Sequence, residues 1–312
     1  MTIPVILDVD TGVDDALALL FTARHPELDL RAVTCVSGNV GVDQVVVNTL
    51  TVLDVAGANA VPVARGAARP LVQAPRPLRP VHGVDGLGDV GWPPSGRLAD
   101  PRHAVELLRD ELTAGPPVTL VALAPLTNLA LLLRTYPEVV DGIERFVFMG
   151  GSAGRGNSTA TAEFNVWHDP EAAAVVLDVL AATSTSITMY GLDVFYGPLA
   201  SAEDADALAA SPDPASRLAA ELLRFGLARY GTGTTTIGDA GAVCAVVDPG
   251  GLRTRPRPVQ VELTGTWTRG QTVVDQRPST DEPGPAIDLG VEVDGPRYVD
   301  LWRWVVRNGE LV

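Results

Sequence analysis

Lysine is absent from this 312-residue chain; all 23 of its basic residues are arginine. The absence removes Schiff-base chemistry and any phosphate site built on a lysine ammonium. Positive charge is scarce in general, since 38 acidic residues leave a formal net charge of −15. Phosphate backbones demand clustered positive charge, so a nucleic-acid partner is excluded. Cysteine is nearly absent as well. Cys35 and Cys244 are too few for a disulfide framework, and both lie in apolar stretches that point to buried free thiols. No apolar run reaches the ~18 residues of a membrane span, and no signal-like segment precedes the first strand pattern. The expectation is a cytoplasmic protein with no membrane contact.

What is present is a large apolar share, 46% of residues, arranged in alternating strand and helix patterns. An apolar run ends at Leu7, and Ala16, Leu17, Leu19, Leu20 and Ala23 then recur at helical spacing. The pattern continues with a strand over Leu30–Ser37, a helix over Gly41–Ala56 and a short strand over Val61–Val63. Arg65–Pro101 breaks the rhythm with seven prolines and six glycines, a length usually tied to function or mobility. Its centre, His82–Gly88, reads as a structured series of turns.

Alternation then resumes: helix Arg102–Ala114, strand Val118–Leu123, helix Thr127–Tyr136, strand Arg145–Met149. Asp169-Pro170-Glu171 marks a helix start, with Asp as cap and Pro in the first turn. Strand Ser186–Met189 and helical stretches over Pro198–Ala210 and Pro214–Tyr230 follow. Polar–apolar alternation at Val259–Leu263, Gln271–Val274 and Ile287–Val293 predicts an antiparallel extension, closed by a helix over Pro296–Arg307. The pattern predicts an α/β fold, a single domain over residues 1–312 with one doubly wound, mostly parallel but mixed sheet flanked by helices.

Asp8, Asp10, Asp14 and Asp15 fall within eight positions, directly after the first apolar run. In an open α/β sheet this strand-to-helix turn lies where ligands bind. On a strand Asp8 and Asp10 share a face, and Asp14 and Asp15 occupy the first helical turn, where the dipole favours negative charge. Four acids this close repel one another unless a cation or polyhydroxyl ligand satisfies them, and hard oxygen ligands suit Ca²⁺ or Mg²⁺.

Further polar segments fall at predicted strand ends: Ser37-Gly38-Asn39, Pro125-Leu126-Thr127-Asn128, Met149-Gly150-Gly151 leading to Asn157 and Ala162-Glu163-Phe164-Asn165, and Gly238-Asp239. Together with Asp8-Val9-Asp10-Thr11-Gly12-Val13-Asp14-Asp15-Ala16 and His82-Gly83-Val84-Asp85-Gly86-Leu87-Gly88, their order resembles the inosine-uridine-preferring nucleoside hydrolases. The likeness runs over nearly the whole chain. It implies hydrolysis of the N-glycosidic bond of a ribonucleoside to ribose and free base, with Ca²⁺ in the site. It implies the carboxylates of Asp10, Asp15 and Asp239 and the backbone carbonyl of Leu123 as metal ligands, with Asp8 supporting them. Asp10 would also orient and deprotonate the attacking water. Asp14, Asn39, Asn157, Glu163, Asn165 and Asp239 would hold the ribose, with Met149 lining its pocket. Relatives are commonly dimers or tetramers, which implies a homodimer or homotetramer.

The chemistry suits those residue types, because glycosidic cleavage passes through an oxocarbenium-like sugar that carboxylates and amide oxygens stabilise. One departure matters. Many members carry a His just before the last metal Asp, as acid to the leaving base, and this chain has Gly238. His82, Trp92 and Tyr230 are therefore candidates for contact with the base, whereas His25 and His103 read as surface residues and His168 as structural. Asp8-Val9-Asp10-Thr11 also imitates the nucleophile motif of haloacid-dehalogenase-like phosphatases, which normally need a downstream Lys. A second alternative, a weak or inactive nucleoside-binding protein on the same scaffold, follows from Gly238.

Overall fold

The computed structural model describes residues 2–74, 80–277 and 286–309. The first half runs β1 (Ile3–Val9), α1 (Val13–Arg24), β2 (Leu28–Cys35), α2 (Val42–Val55), β3 (Val63–Arg65), α3 (Ala104–Thr113), β4 (Val118–Ala122), α4 (Thr127–Thr135) and β5 (Ile143–Met149). There follow α5 (Phe164–His168), α6 (Pro170–Ala181), β6 (Ser186–Tyr190), α7 (Leu192–Phe195), β7 (Leu199–Ser201), α8 (Ala202–Ala209), α9 (Pro214–Tyr230) and β8 (Thr234–Thr236). The chain closes with α10 (Ala240–Val247), β9 (Leu252–Val261), β10 (Thr272–Val274), β11 (Ala286–Val293) and α11 (Gly295–Asn308).

Nine strands form one sheet in the order β10-β9-β11-β6-β5-β4-β1-β2-β3. Neighbours from β3 across to β11 are parallel, and β9 and β10 join antiparallel, as the mixed doubly wound expectation requires. The chain leaves β1 in one direction through β2 and β3, then returns to lay β4 on the other side. The order of strands therefore switches between β1 and β4, and at such a point the loops diverge and leave a crevice.

The pleat of β1 splits the interior in two. Val5, Leu7 and Val9 face a core shared with α1, α2, α9, α10 and α11, while Ile6 faces the core under α3, α4 and α6. Asp8 follows Ile6 to that second side, where Thr34 (2.6 Å) and Asn128 of α4 (2.8 Å) donate to its Oδ1. Because β1 ends at Val9, Asp10 has left the pleat, and the shared face expected of the two acids does not form.

Two other expectations need correction. The helix expected over Pro198–Ala210 is split: Leu199–Ser201 pairs with Thr234–Thr236 as a two-stranded ribbon. Ser201 then caps α8, accepting the Asp204 N–H at 3.2 Å while Asp204 takes its own N–H at 2.8 Å. His25 is buried rather than on the surface, since its ring packs on Phe21 with centroids 5.2 Å apart. The short helices α5 and α7 went unforeseen because four or five residues are too few to display a helical period.

Asp169 caps α6 as its motif predicts, accepting the Ala172 N–H at 3.1 Å. Cys35 and Cys244 are buried free thiols. Among the described residues no helix is long and apolar enough to cross a membrane.

Candidate functional site

A cavity of about 330 Å³ opens at the carboxyl ends of β1, β4 and β5, within the ~300–1,000 Å³ common for small-molecule sites. Asp10, Asp14, Asn39, His82, Leu123, Met149, Asn157, Glu163, Asn165, Tyr230 and Asp239 all line it. Seven separate segments bring them together across more than two hundred positions of sequence.

The β1–α1 turn supplies the acidic floor. The Asn39 N–H donates to Asp10 Oδ2 at 2.7 Å, and Oδ1 of Asp10 is buried without a protein partner. Gly38 makes this bond possible, because any Cβ there would collide with Asp10 Oδ2. Asp15 accepts the Gly12 N–H at 2.8 Å and the Asn39 side-chain amide at 3.3 Å. Asp239 sits at the start of α10 with no side-chain capping bond.

Burial pushes all three carboxyls up. Asp15 reaches about 8 with Asp14 adding to the effect. Asp10 lies well above its ordinary value through burial and the charge of Asp15. Asp239 is raised by burial and by four surrounding acids, Asp14, Asp15, Asp10 and Glu163.

These acids fit a hard cation. Oxygens of Asp14, Asp15 and Asp239 lie within 4.8 Å of one another, and the unpartnered Oδ1 of Asp10 adds a buried acceptor to the same cavity. Without a cation, so many buried carboxylates cannot all be ionised. Asp8, behind this cluster, is pushed to about 7 by burial, against the hydrogen bonds from Thr34 and Asn128.

The opposite wall comes from the segment after β5. Glu163 caps α5, accepting N–H groups from Gly151 (2.9 Å), Asn165 (2.8 Å) and Val166 (3.1 Å). Burial still raises its carboxyl to about 7. The Asn165 side-chain amide donates to the carbonyls of Leu123 (2.9 Å) and Met149 (3.0 Å), tying α5 to the ends of β4 and β5.

The mouth holds the residues that sequence patterns left unresolved. His82 closes one turn of 3₁₀ helix and its Nδ1 accepts the Val13 N–H at 3.1 Å, 3.5 Å from Asp14 Oδ1. Trp92 does not line the cavity; its indole donates to Glu221 of α9 at 2.6 Å. His168, expected to be structural, lines the cavity, as do Phe164, Phe195, Tyr196 and Arg229. Phe195 and Tyr196 escaped notice because no local pattern says that Asp193-Val194-Phe195-Tyr196 ends beside Gly238. Their only signal was two adjacent aromatics closely following a strand.

A carboxylate-lined crevice at the switch point of a doubly wound sheet is the place where an enzyme of this fold class binds a small ligand. The chain belongs to the inosine-uridine-preferring nucleoside hydrolase family, whose pattern matches residues 5–300. It is accordingly a ribonucleoside hydrolase, cleaving an N-glycosidic bond. It is 40% identical over 301 residues to the non-specific ribonucleoside hydrolase RihC of Klebsiella pneumoniae, covering 95% of this chain and 96% of that one. Identity is 39% over 279 residues to the inosine-uridine-preferring nucleoside hydrolase of Leishmania major, with 88% of each chain covered. Among solved structures, an inosine-guanosine nucleoside hydrolase superimposes with a TM-score of 0.92 at 29% identity, covering both chains completely. The purine-preferring ribonucleoside hydrolase from Gardnerella vaginalis does so with a TM-score of 0.90 at 31% identity, covering 97% of this chain and 98% of that one.

Proposed function

We propose that the chain hydrolyses ribonucleosides with Asp10 as the base, in a calcium site formed by Asp10, Asp15, Asp239 and the Leu123 carbonyl. The observation that carries this reading is the asymmetry of Asp10: Oδ2 is fixed by the Asn39 N–H, and Oδ1 is left for a cation or a water. All-oxygen donors in irregular geometry suit Ca²⁺ better than the strict octahedron of Mg²⁺. When bound, calcium would lower the pKa of a water and engage the vicinal 2′- and 3′-hydroxyls of ribose.

The remaining work falls to side chains. Asp10 takes the proton of the attacking water. Asp14, Asn39, Asn157, Glu163, Asn165 and Asp239 hold the ribose hydroxyls beside Met149, and their negative charge favours the oxocarbenium-like sugar as the base departs. Asn165 is held by two main-chain carbonyls, so its amide is set before substrate arrives. We further read the chain as one domain, because its one nine-stranded sheet draws strands from both halves of the sequence. Its two free thiols fit the reducing cytoplasm, and we read the assembly as a homodimer or homotetramer.

The test is incubation with a panel of ribonucleosides in calcium and in excess chelator, with free base and ribose assayed separately. Stoichiometric release of both, abolished by chelation and restored by calcium, is expected. Nucleoside bound but recovered intact would instead make the chain a binding protein.

A further inference from the structure

Gly238 offers the departing base no group, and the structure leaves no room to add one. It adopts φ +54°, and a Cβ built there would stand 2.6 Å from Asp14 Cβ and 3.0 Å from Phe195 Cζ. The space beside residue 238 is thus already taken by an aromatic ring from another element, α7.

Two hydrogen bonds hold that ring in place. The Thr236 hydroxyl donates to the Phe195 carbonyl at 2.7 Å and accepts the Gly238 N–H at 2.9 Å, clamping the end of α7 to the turn before Asp239. Tyr196 packs edge-on against Phe195, with centroids 5.0 Å apart and planes at 89°, a favoured aromatic geometry. Tyr196 lines the cavity together with Asn157.

We propose that Tyr196 is the proton donor to the leaving base, seated by Phe195 in the space above Gly238. The inference rests on the reading of the chain as a ribonucleoside hydrolase. Among the hydroxyls lining the cavity, that of Tyr196 is carried by the ring that packs on Phe195, the residue filling the space beside Gly238. His82 spends Nδ1 on the Val13 N–H.

The step balances. The C1′–N bond breaks with its electron pair going to the base, and the phenolic proton of Tyr196 passes to the base nitrogen or its conjugated oxygen. Water oxygen bonds C1′ while Asp10 takes its proton. Tyr196 is 45% exposed, so the phenolate recovers a proton from solvent, and Asp10 returns one. Partial burial, with Glu163 and Asp14 adding to it, holds the phenol above its ordinary pKa of 10, so the donor stays loaded at neutral pH.

The test compares Tyr196→Phe with wild type on two substrates, inosine, whose base needs a proton, and p-nitrophenyl riboside, whose leaving group does not. General acid catalysis is typically worth ~10²–10⁴ in rate. The expected result is a fall in kcat on inosine at least tenfold greater than on p-nitrophenyl riboside. Equal losses on both would make Tyr196 a structural residue and overturn the proposal. So would a selective loss in Tyr230→Phe with Tyr196→Phe unaffected. Phe195→Ala should reproduce the selective loss more weakly, because it removes the seat and keeps the phenol. If wild type cleaves neither riboside, the hydrolase reading falls and this inference with it. Cleavage of the activated riboside with an unaltered substrate ratio in Tyr196→Phe sinks the inference alone.

Discussion

The main-chain N–H of Asn39 donates to Oδ2 of Asp10 at 2.7 Å, and that bond orients the acid assigned as base. An amide at position 10 can still accept it. Asp10→Asn should therefore fold normally, with unchanged circular dichroism, yet lose roughly 10²–10⁴ in kcat through loss of the base. Near-wild-type turnover would remove Asp10 from the chemistry.

Asp239 makes no capping bond, so its substitution by Asn leaves no main-chain donor orphaned. Asp239→Asn should weaken calcium binding by at least tenfold in titration calorimetry while the apo protein keeps or gains thermal stability. The gain follows from removing one of several mutually repelling buried carboxyls. Undiminished calcium affinity would place the metal elsewhere.

The metal-free protein should be destabilised as pH rises. Burial raises Asp8 from 3.8 to about 7, Asp15 from 3.8 to about 8 and Glu163 from 4.5 to about 7. A folded carboxyl with a raised pKa holds its proton where the unfolded one has lost it, so the unfolded state binds fewer protons between the two values. Its stabilising contribution is full below about pH 4 and is lost on the way to pH 7–8. Calorimetry in chelator should show Tm falling across that window, and saturating calcium should flatten the fall. A chelated Tm that rose from pH 5 to 8 would contradict the burial of these groups.

Position 238 should refuse a side chain. The left-handed backbone alone costs about 1–3 kcal/mol for a non-glycine residue, and the approaches to Asp14 and Phe195 add to it. Gly238→His should lower Tm and fail to raise inosine turnover. Pairing it with Phe195→Ala should recover part of the stability by freeing the ring's space. A stable, faster single variant would show that the turn reshapes more easily than its clamp through Thr236 suggests.

Glu163 accepts three main-chain N–H groups, so Glu163→Gln places an amide against donors. A loss in kcat on the order of 10², exceeding any rise in KM, is expected if the charge acts in the transition state. A change confined to KM would make the residue a uniform binder.

Much of this molecule is written locally. The acidic turn follows an apolar run and precedes a helical period, so its position at a strand end was legible before any coordinates. The Asp169-Pro170 start of α6 and the full extent of α9 were equally plain, because caps and periods act within a few residues. The alternating tail was read as an antiparallel extension, and β9 and β10 supply it. That β11 also runs parallel against β6 depends on which edge the chain returns to.

The amino-acid sequence by itself determined the ingredients of the cavity: which carboxylates and amides exist, and that each follows a strand whose end faces one edge. Tertiary structure alone decided how they are used. It turned Asp8 toward Asn128 and away from Asp10, drew His168 to the cavity wall, and tied Trp92 to Glu221 outside it. It also set Phe195 against Gly238, forty-three positions later in the chain. The reason is physical. Caps and hydrophobic periods arise from forces between residues a few positions apart and leave a mark in local order. The contact of α7 with the turn before Asp239 arises only when the sheet has closed, from volume exclusion between segments with no sequence relation.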